Sequence, residues 1–386
     1  MDFRKLAHEI QPETVAFRRD LHQHPEACMH EFRTTDRIAA ELDRLGVPYR
    51  RLDPTGLVAE IKGGKTGGNG KIVALRGDID ALSITEKTGL PYTSENPGFM
   101  HACGHDTHTS MLLGAVKVLN STKDQFAGTV RFIFQPAEEI AEGAKLAIKQ
   151  GALEGVDSIF GIHIASLAPV GSVTGRAGPA AAATDQFKIT VKGKVSHGAM
   201  PESGIDAVVA GSAIVMNLQT MVSREFAAAD PLVVTIGSFH SGTRFNIVSG
   251  EAVLEGTVRS FSREVHKQLP ATMERIAKET AAAFRAEAEV EYNSLCDVLV
   301  NDAELEDLAF AAARKVTDPS LVVYQEKLMM GGEDFAEYTS HAKAAFVMLG
   351  AGGVSPQHSD HYIIDENAFE VGIALYAQMA MDMLAR

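Results

Sequence analysis

Residues 130–164 have the sequence VRFIFQPAEEIAEGAKLAIKQGALEGVDSIFGIHI, and this stretch decides the fold. The apolar runs at 130–134 and 159–164 are typical of buried strands. The segment 141–150 between them, which stops before Gly151, is typical of a helix. A strand, a helix and a second strand in this order predict a parallel pair joined by a crossover. The sequence therefore predicts an α/β core with a mostly parallel central sheet.

Outside this stretch the same alternation continues. The glycine-rich segment 63–70 is predicted to be a flexible loop between two paired strands, and Gly46 is predicted to end a helical region. The other elements predicted for the core are helical regions over 12–45, 111–119 and 305–316 and strands over 57–61, 72–75 and 344–349.

Residues 183–293 break the alternation and follow the order strand, helix, strand, strand, helix, strand. This βαββαβ order matches the ferredoxin-like split unit, a module that can form its own core. The sequence therefore predicts a discontinuous core of 1–182 and 294–386 with an inserted domain over 183–293.

Composition limits the classes of function. The 386 residues include 36 Lys and Arg against 50 Asp and Glu, a formal charge of −14, and 45% are hydrophobic. The acidic balance argues against nucleic acid or an anionic membrane as partner. No apolar signal segment or membrane span is visible, and three cysteines are too few for a disulfide framework. We expect a cytoplasmic protein with free thiols whose partners are small molecules or other proteins.

Potential metal ligands are most concentrated just ahead of a predicted helix, in the segment Met100-His101-Ala102-Cys103-Gly104-His105-Asp106-Thr107-His108. A thiolate is favoured at a helix N-terminus, and imidazoles beside it suit a borderline metal such as zinc or manganese. The other interpretation is a capping Asp106 with incidental histidines. On this segment alone both stay open.

Carboxylates follow two of the predicted strands. Asp78 and Asp80 come at the end of one strand, and Glu138 and Glu139 directly after another. Ligands bind at the carboxyl ends of strands in open α/β sheets, where Asp80 could orient a ligating histidine and Glu138 could act as a general base beside a metal ligand. A turn role for the aspartates and an acidic first helical turn for the glutamates are equally simple. His163 lies in an apolar strand, either as a core residue or as a ligand.

Three polar side chains in the inserted domain are candidates for contact with a substrate. His197 lies in a loop with glycine and proline, either as a surface residue or as a group that polarises a substrate oxygen. Asn246 and Arg259 lie in the same domain, and Arg259 could hold a carboxylate through two hydrogen bonds. The segments around Gly331-Gly332 and around His358 are polar and turn-rich, and could be loop filler.

Taken together, the chain resembles the M20 metallopeptidase family, specifically its aminoacylase and hippurate hydrolase-like amidohydrolases. The resemblance covers nearly the whole chain, and the motifs occur in the order that the family has. They are Leu21-His22-Gln23-His24-Pro25-Glu26, Arg76-Gly77-Asp78-Ile79-Asp80-Ala81-Leu82, His101-Ala102-Cys103-Gly104-His105-Asp106, Gln135-Pro136-Ala137-Glu138-Glu139, Gly161-Ile162-His163, Ser196-His197-Gly198-Ala199-Met200-Pro201, Gly331-Gly332-Glu333-Asp334-Phe335 and His358.

The resemblance implies two divalent metal ions per subunit, zinc or manganese ahead of cobalt or nickel, in a catalytic domain made of 1–182 and 294–386. It implies a lid and dimerisation domain over 183–293, and hence a homodimer or homotetramer. It places Ser83 and Ser249 where relatives commonly have proline. The site residues it implies are Cys103 as bridging ligand, His105, Glu139, His163 and His358 as the other ligands, Glu138 as general base, His197 in the partner's active site, and Asn246, Arg259, Gly331 and Gly332 as substrate contacts.

The activity implied is hydrolysis of the amide bond of N-acyl amino acids. Metal-activated water would attack the carbonyl, and Glu138 would carry the proton to the leaving amine. A dipeptidase or carboxypeptidase of the same family is the alternative, because two metals and a carboxylate-binding Arg259 fit it as well.

Overall fold

The computed structural model describes residues 1–68 and 70–386. The helices in these ranges are α1 (Phe3–Gln23), α2 (Phe32–Leu45), α3 (His105–Ser121), α4 (Gly143–Lys149), α5 (Ala207–Thr220), α6 (Arg263–Ala283), α7 (Ala303–Val316) and α8 (Ala368–Leu384). The strands are β1 (Tyr49–Arg51), β2 (Leu57–Lys62), β3 (Ile72–Asp78), β4 (Thr129–Gln135), β5 (Ser158–Ala165), β6 (Val173–Gly175), β7 (Gly178–Ala181), β8 (Ala183–Lys192), β9 (Ser196–His197), β10 (Leu232–Ser241), β11 (Ile247–Val248), β12 (Glu251–Ser260), β13 (Glu287–Cys296), β14 (Leu299–Asn301), β15 (Val322–Tyr324) and β16 (Lys343–Gly350).

The chain forms two compact units. The first comprises Met1–Gly178, Val300–Lys327 and Asp334–Arg386, and the second comprises Pro179–Leu299 and Leu328–Glu333. The inserted segment predicted over 183–293 lies inside the longer range of the second unit. The short range was not predicted, and it joins that unit because the backbone of Met329 exchanges hydrogen bonds with Ala180 and Ala182.

The first unit contains an eight-stranded sheet in the order β1-β2-β4-β3-β5-β16-β6-β15. Its middle is parallel, since β3 pairs with β4 and β5, and β5 pairs with β16. Antiparallel pairs occur on both sides, where β2 meets β4 and β6 meets β16. The predicted α/β core with a largely parallel sheet is therefore confirmed.

The predicted pairing of the strands at 57–61 and 72–75 is wrong. β4 lies between β2 and β3, and its Phe132 is in register with Ala59 on one side and Leu75 on the other. Residues 130–135 of β4 are all buried. A strand buried on both faces takes a central position with two neighbours, and the short loop between β2 and β3 does not force them together.

The helical region predicted over 12–45 consists of two helices, α1 and α2. Pro12 lies inside α1, which begins at Phe3 with the Asp2 side chain accepting a hydrogen bond from the Lys5 amide at 3.0 Å. α2 ends where predicted, at Gly46, whose φ of 64° is the left-handed conformation that closes a helix. Helices α1, α3 and α8 pack on one another, and α3 is buried from His105 to Leu119.

The second unit has the βαββαβ order that the sequence predicted. Its four-stranded sheet has the order β10-β12-β8-β13, and each neighbouring pair is antiparallel. Helices α5 and α6 contact each other and pack with this sheet around a separate apolar core. The unit is therefore ferredoxin-like. No helix in the described ranges combines the length and apolar character that a membrane span requires.

Candidate metal centre

Polar side chains of the first unit collect at the carboxyl ends of three neighbouring strands. Asp78 is the last residue of β3, Gln135 is the last residue of β4, and His163 lies near the end of β5. Helix α3 begins at His105. Because β3, β4 and β5 are parallel, their carboxyl ends meet at one edge of the sheet, where α/β proteins bind ligands.

The turn before α3 presents Cys103. Gly104 has a φ of 98°, and a Cβ at this position would lie 2.4 Å from Cγ2 of Ile164, so only glycine fits. The Sγ atom of Cys103 is 3.4 Å from Nε2 of His163. Burial raises the pKa of the Cys103 thiol well above its ordinary value, and Glu139 raises it further. Burial thus opposes the thiolate that the helix N-terminus was predicted to favour, and a cation beside Sγ would favour it.

His105 has one ring nitrogen paired and one unpaired. Its Nδ1 lies 3.1 Å from Oδ1 of Asp80, which the sequence indicates as a candidate partner for a ligating histidine without specifying which one. Its Nε2 is buried and makes no hydrogen bond to any described residue, although Glu139 Oε1 and Glu138 Oε2 lie 3.8 and 3.9 Å away. Burial lowers the pKa of His105, but Asp78 and Asp80 outweigh it and raise that pKa well above its ordinary value. Nε2 therefore faces an excess of negative charge.

A compact turn carries Glu138 and Glu139. Ala137 has a φ of 54°, and the residues after it form a 3₁₀ turn over Glu138–Ile140. The backbone N–H of Glu139 donates to Oδ2 of Asp80 at 3.0 Å. Helix α4 begins only at Gly143, so the two glutamates do not form its acidic first turn, which was the alternative open from sequence.

Glu139 also lies beside His358, from the C-terminal part of the chain. Oε1 of Glu139 is 3.6 Å from Nε2 of His358 and is buried without a hydrogen bond to a described residue. The backbone of His358, with a φ of 63°, donates to the carbonyl of Ala102 at 2.8 Å, which fixes it next to the Cys103 turn. Burial raises the pKa of Glu139.

These residues form two groups of donor atoms that share one member. Within each group the atoms lie within 4.8 Å of one another: Cys103, His105 and His163 in one, and Cys103, Glu139 and His358 in the other. The buried Nε2 of His105 and Oε1 of Glu139 make no hydrogen bond to a described residue. Sulfur, nitrogen and carboxylate donors in one site suit borderline divalent ions. The residues therefore fit two divalent ions.

Two other histidines of the predicted cluster do not join these groups. His108 uses both ring nitrogens, since Nδ1 lies 2.6 Å from Oδ1 of Asp78 and Nε2 accepts from the Ile164 amide at 2.8 Å. His101 is fully buried, and burial lowers its pKa to about 4. His108 therefore supports the strand ends, and His101 is kept neutral.

Asp334 is a residue whose position sequence reasoning missed. Its Oδ1 accepts from Nη2 of Arg76 at 2.7 Å and its Oδ2 accepts from Nε2 of Gln135 at 2.8 Å. Its backbone N–H donates to Oε1 of Glu138 at 3.4 Å. The segment after Gly331-Gly332 was visible as a polar turn, but nothing in it indicates partners 258 and 199 residues away.

The second unit contains the other predicted residues, and it places His197 next to Asn246. His197 on β9 is in register with Ile247 on β11, and the Gly198 amide donates to the Asn246 carbonyl at 2.8 Å. Oδ1 of Asn246 is buried without a hydrogen bond to any residue in the described ranges. Ser249, at the position where proline was expected, accepts from the Gly242 amide at 3.1 Å and so joins the ends of β10 and β12.

Arg259 and Gly332 both approach Thr184. Arg259 on β12 is in register with Thr184 on β8, and a Cβ on Gly332 would lie 2.3 Å from the Thr184 hydroxyl. The guanidinium donates to the Val258 carbonyl at 3.1 Å and to the Thr257 hydroxyl, and forms no ion pair with a described residue. Burial lowers the pKa of Arg259. Gly331, by contrast, has open space where a side chain would be.

The comparisons with known proteins agree with this site. Residues 74–382 match the model of peptidase family M20/M25/M40. An N-acetylcysteine deacetylase of Bacillus subtilis (strain 168) is 39% identical over 375 residues, 96% of each chain. Thermostable carboxypeptidase 1 of Saccharolobus solfataricus is 36% identical over 383 residues, 97% of this chain and 96% of that one. The crystal structure of a dinuclear metal binding peptidase of the M20 family from Bacillus subtilis is 36% identical, has a TM-score of 0.86, and matches over 98% of this chain and 99% of that one.

The fold and the donor groups define a metal-dependent hydrolase that acts on amide bonds. The chain belongs to peptidase family M20/M25/M40. The resemblance drawn from the motifs is confirmed.

Proposed function

We propose that the chain hydrolyses the amide bond of N-acyl amino acids and releases a carboxylic acid and the free amino acid. The observation that carries the proposal is the position of Glu138, whose Oε2 lies 3.9 Å from the unpaired Nε2 of His105, beside two donor groups that share Cys103. Amide hydrolysis at neutral pH uses such a pair of functions, a cation site and a carboxylate that can carry a proton. The name of the deacetylase relative supports an N-acyl substrate.

We assign the two ions to Cys103, His105, Glu139, His163 and His358, with Cys103 shared. Asp80 orients His105 through the 3.1 Å contact to Nδ1. When bound, the ions supply positive charge that acidifies water and polarises an amide carbonyl. Zinc and manganese are the ions proposed first, with cobalt and nickel as further candidates, because this mixed donor set accepts all four.

Glu138 is the proposed proton carrier. Its carboxylate takes a proton from the attacking water and gives it to the leaving amine. The Asp334 N–H, 3.4 Å from Oε1, helps to orient it, and Asp334 is itself anchored by Arg76 and Gln135. Glu138 is thereby held in place by Asp334, which belongs to a distant segment of the chain.

The proposed substrate contacts lie in the second unit. Arg259 offers a half-buried guanidinium without an ion pair in the described ranges, which suits the carboxylate of the amino-acid half. Asn246 offers the buried, unpaired Oδ1. His197, which we propose acts in the partner subunit's active site, would donate to the carbonyl oxygen of the substrate. Gly331 and Gly332 would let the substrate approach the backbone.

We also propose a homodimer, or a homotetramer built from it, with 183–293 as lid and dimerisation domain between catalytic segments 1–182 and 294–386. Strand β10 is an edge strand of the second unit's sheet. On α5, Val208, Val209 and Met216 are 41%, 48% and 70% exposed. Met216→Lys should lower the molar mass measured by light scattering to that of one chain, and an unchanged oligomer would argue against this surface. A cytoplasmic location is supported by the three free cysteines.

A dipeptidase or carboxypeptidase activity is the second candidate, supported by the name of the carboxypeptidase relative. The metal-reconstituted protein should be assayed with N-acetyl amino acids, N-benzoyl amino acids and dipeptides that share one amino acid. We expect kcat/KM for an N-acyl substrate to exceed that for the dipeptide by at least about tenfold, which is a difference of about 1.4 kcal/mol in transition-state binding. The opposite order would favour the peptidase.

The test of the proposed base is Glu138→Gln, which keeps the shape and removes the proton acceptor. We expect kcat to fall by about 10²–10⁴-fold while two ions per chain remain bound. Glu142→Gln, an exposed carboxylate next to the same turn, is the matched control and should keep wild-type activity. Full activity of Glu138→Gln with both ions bound would overturn the assignment.

A further inference from the structure

A fully buried carboxylate that the proposed mechanism does not use, Glu31, contacts the turn that carries Glu138. Glu31 is 0% exposed and lies just before α2. Its Oε1 accepts from the Ala137 amide at 2.9 Å and from the Met29 amide at 3.0 Å, and its Oε2 accepts from the hydroxyl of Thr55. No cation of a described residue pairs with it. Burial and the nearby Asp80 raise the pKa of Glu31 to about 7, so its charged form is disfavoured. A buried carboxyl group held only by neutral donors is costly in either form unless its hydrogen bonds are made, so its position calls for an explanation.

The contact with Ala137 falls at a residue whose backbone is in the left-handed conformation. Ala137 has a φ of 54°, a conformation that a residue with a Cβ rarely adopts without support from its surroundings. Its carbonyl accepts from the amides of Glu142 and Gly143 at 3.4 and 3.1 Å, and its N–H is held by Glu31. Both polar groups of the strained peptide are therefore fixed.

The turn is held on the other side of Glu138 by a second buried carboxylate. Asp80 accepts from the Glu139 amide at 3.0 Å and from the thiol of Cys28 at 3.2 Å. Glu138 thus lies between two backbone amides, each bonded to a carboxylate that a different segment of the chain supplies. Asp80 also contacts His105, whereas Glu31 makes no contact with a proposed metal ligand.

We propose that Glu31 is a positioning residue for the proposed base: it fixes the left-handed backbone of Ala137 and so aims the Glu138 carboxylate. The inference rests on the proposed role of Glu138. Substitution of Glu31 should lower kcat, because a displacement of about 1 Å in a reacting group costs about 10²-fold in rate. Substrate binding and metal binding should change little.

Two substitutions separate geometry from charge. Glu31→Gln removes the charge but keeps an oxygen that can accept from Ala137 and an amide that can donate to Thr55. Glu31→Asp keeps the charge but withdraws it by one methylene. We expect kcat to fall about 10²-fold in Glu31→Asp and less than about fivefold in Glu31→Gln, with KM within about threefold of wild type in both. The reverse order would show that the charge matters and would overturn a positioning role.

The matched control is Glu26, a partly buried carboxylate that accepts from the amides of Arg33 and Thr34 at 3.0 and 2.7 Å in the first turn of α2. Glu26→Asp should lower the thermal midpoint and leave kcat within about twofold. Amide hydrogen exchange of the segment around Ala137, measured on metal-free protein, should accelerate at least about tenfold in Glu31→Asp and not in Glu26→Asp. Unchanged exchange in Glu31→Asp would overturn the proposal even if that variant is too unstable for kinetics.

A double-mutant cycle distinguishes this proposal from the proposed function. In the Glu138→Gln background, Glu31→Asp should lower kcat by less than about threefold, because the group that it positions is already disabled. Equal losses in both backgrounds would overturn the positioning role and leave the function standing. Full activity of Glu138→Gln alone would overturn the proposed function itself, and the role of Glu31 with it.

Discussion

Two histidines, one in each unit, lie between carboxylates, and they differ in whether both ring nitrogens have a hydrogen-bond partner. His266 in the second unit has both nitrogens paired, with Nε2 at 2.8 Å from Asp185 and Nδ1 at 3.3 Å from Asp297. His105 in the first unit has Nδ1 paired with Asp80 and Nε2 unpaired among the described residues. The His266 cluster is satisfied by protein groups alone, whereas Nε2 of His105 has no hydrogen bond to a described residue. Local charge alone therefore does not identify a ligand site. His105 indicates one because its Nε2 lacks such a bond and because its ring also offers a donor atom within 4.8 Å of donor atoms of Cys103 and His163.

The largest expected effect comes from exchanging the two histidines for asparagine. His105→Asn should weaken metal binding by more than about 100-fold, because loss of even an outer partner of a ligand costs about 10–100-fold. His266→Asn should bind two ions like wild type. Metal content after dialysis against a series of chelator concentrations checks both. If His105→Asn retained two tightly bound ions, the claim that His105 binds metal and His266 does not would be contradicted.

Substitution of the aspartate beside His105 should weaken metal binding, whereas substitution of an aspartate beside His266 should not. Asp80→Asn loses the charge that orients His105, so metal affinity should fall by about 10–100-fold. Asp297→Asn, the corresponding change beside His266, should leave metal affinity within error and lower only the thermal midpoint. A metal titration followed by calorimetry measures the first effect, and equal affinities of the two variants would contradict it.

The His266 cluster should give the protein a pH-dependent stability of known sign. Burial lowers the pKa of His266, but Asp185 and Asp297 outweigh it and raise the pKa to about 9. Because this value is above the ordinary one, the stabilisation is complete below about pH 6.5 and is lost as the pH rises through about 9. After allowance for solvent screening we expect about 1–2 kcal/mol.

The comparison variant is His266→Gln, whose side chain does not titrate. The thermal midpoint of wild type should exceed that of the variant most at pH 6 and by progressively less up to pH 10. A difference that stays constant over this range, or grows with pH, would show that the charged imidazole is not the source of the stability.

The smallest effect is expected at the edge of the His266 cluster. The hydroxyl of Tyr292 donates to Oδ2 of Asp185 at 2.7 Å. Tyr292→Phe should lower the free energy of unfolding by about 1.5 kcal/mol, the lower end of the range for a hydrogen bond to a charged group, because the bond is only partly buried, and it should not change metal content. Urea denaturation at pH 7 measures it, and any loss of bound metal would mean that this cluster is not purely structural.

Much of the candidate site could be predicted because its members lie in dense local motifs. Cys103 and His105 are two residues apart, and Glu138 and Glu139 directly follow a strand whose apolar run is plain in the sequence. From sequence Asp80 is a candidate partner for an unspecified ligating histidine, and the structure places it 3.1 Å from Nδ1 of His105. The roles of these residues in metal binding and catalysis stay predictions until the variants are measured.

What could not be predicted depends on contacts between distant segments. Three features follow from packing that no local pattern indicates. They are the position of β4 between β2 and β3, the break between α1 and α2, and the inclusion of Leu328–Glu333 in the second unit. Glu31 is the clearest case. Its contact with Ala137 spans 106 residues, and a lone glutamate before a helix carries no sign that it is buried.

Periodicity and short motifs were enough to predict the class of fold, an inserted segment, the family and the segments that bear the chemistry. The tertiary structure alone decided which atoms are left unsatisfied. Whether a buried nitrogen is paired, as in His266, or unpaired, as Nε2 of His105 is among the described residues, depends on side chains brought together from distant parts of the chain. A buried nitrogen without a hydrogen bond costs free energy. This cost is the physical reason that the His105 site is suited to bind a metal, whereas His266 is already satisfied by two aspartates.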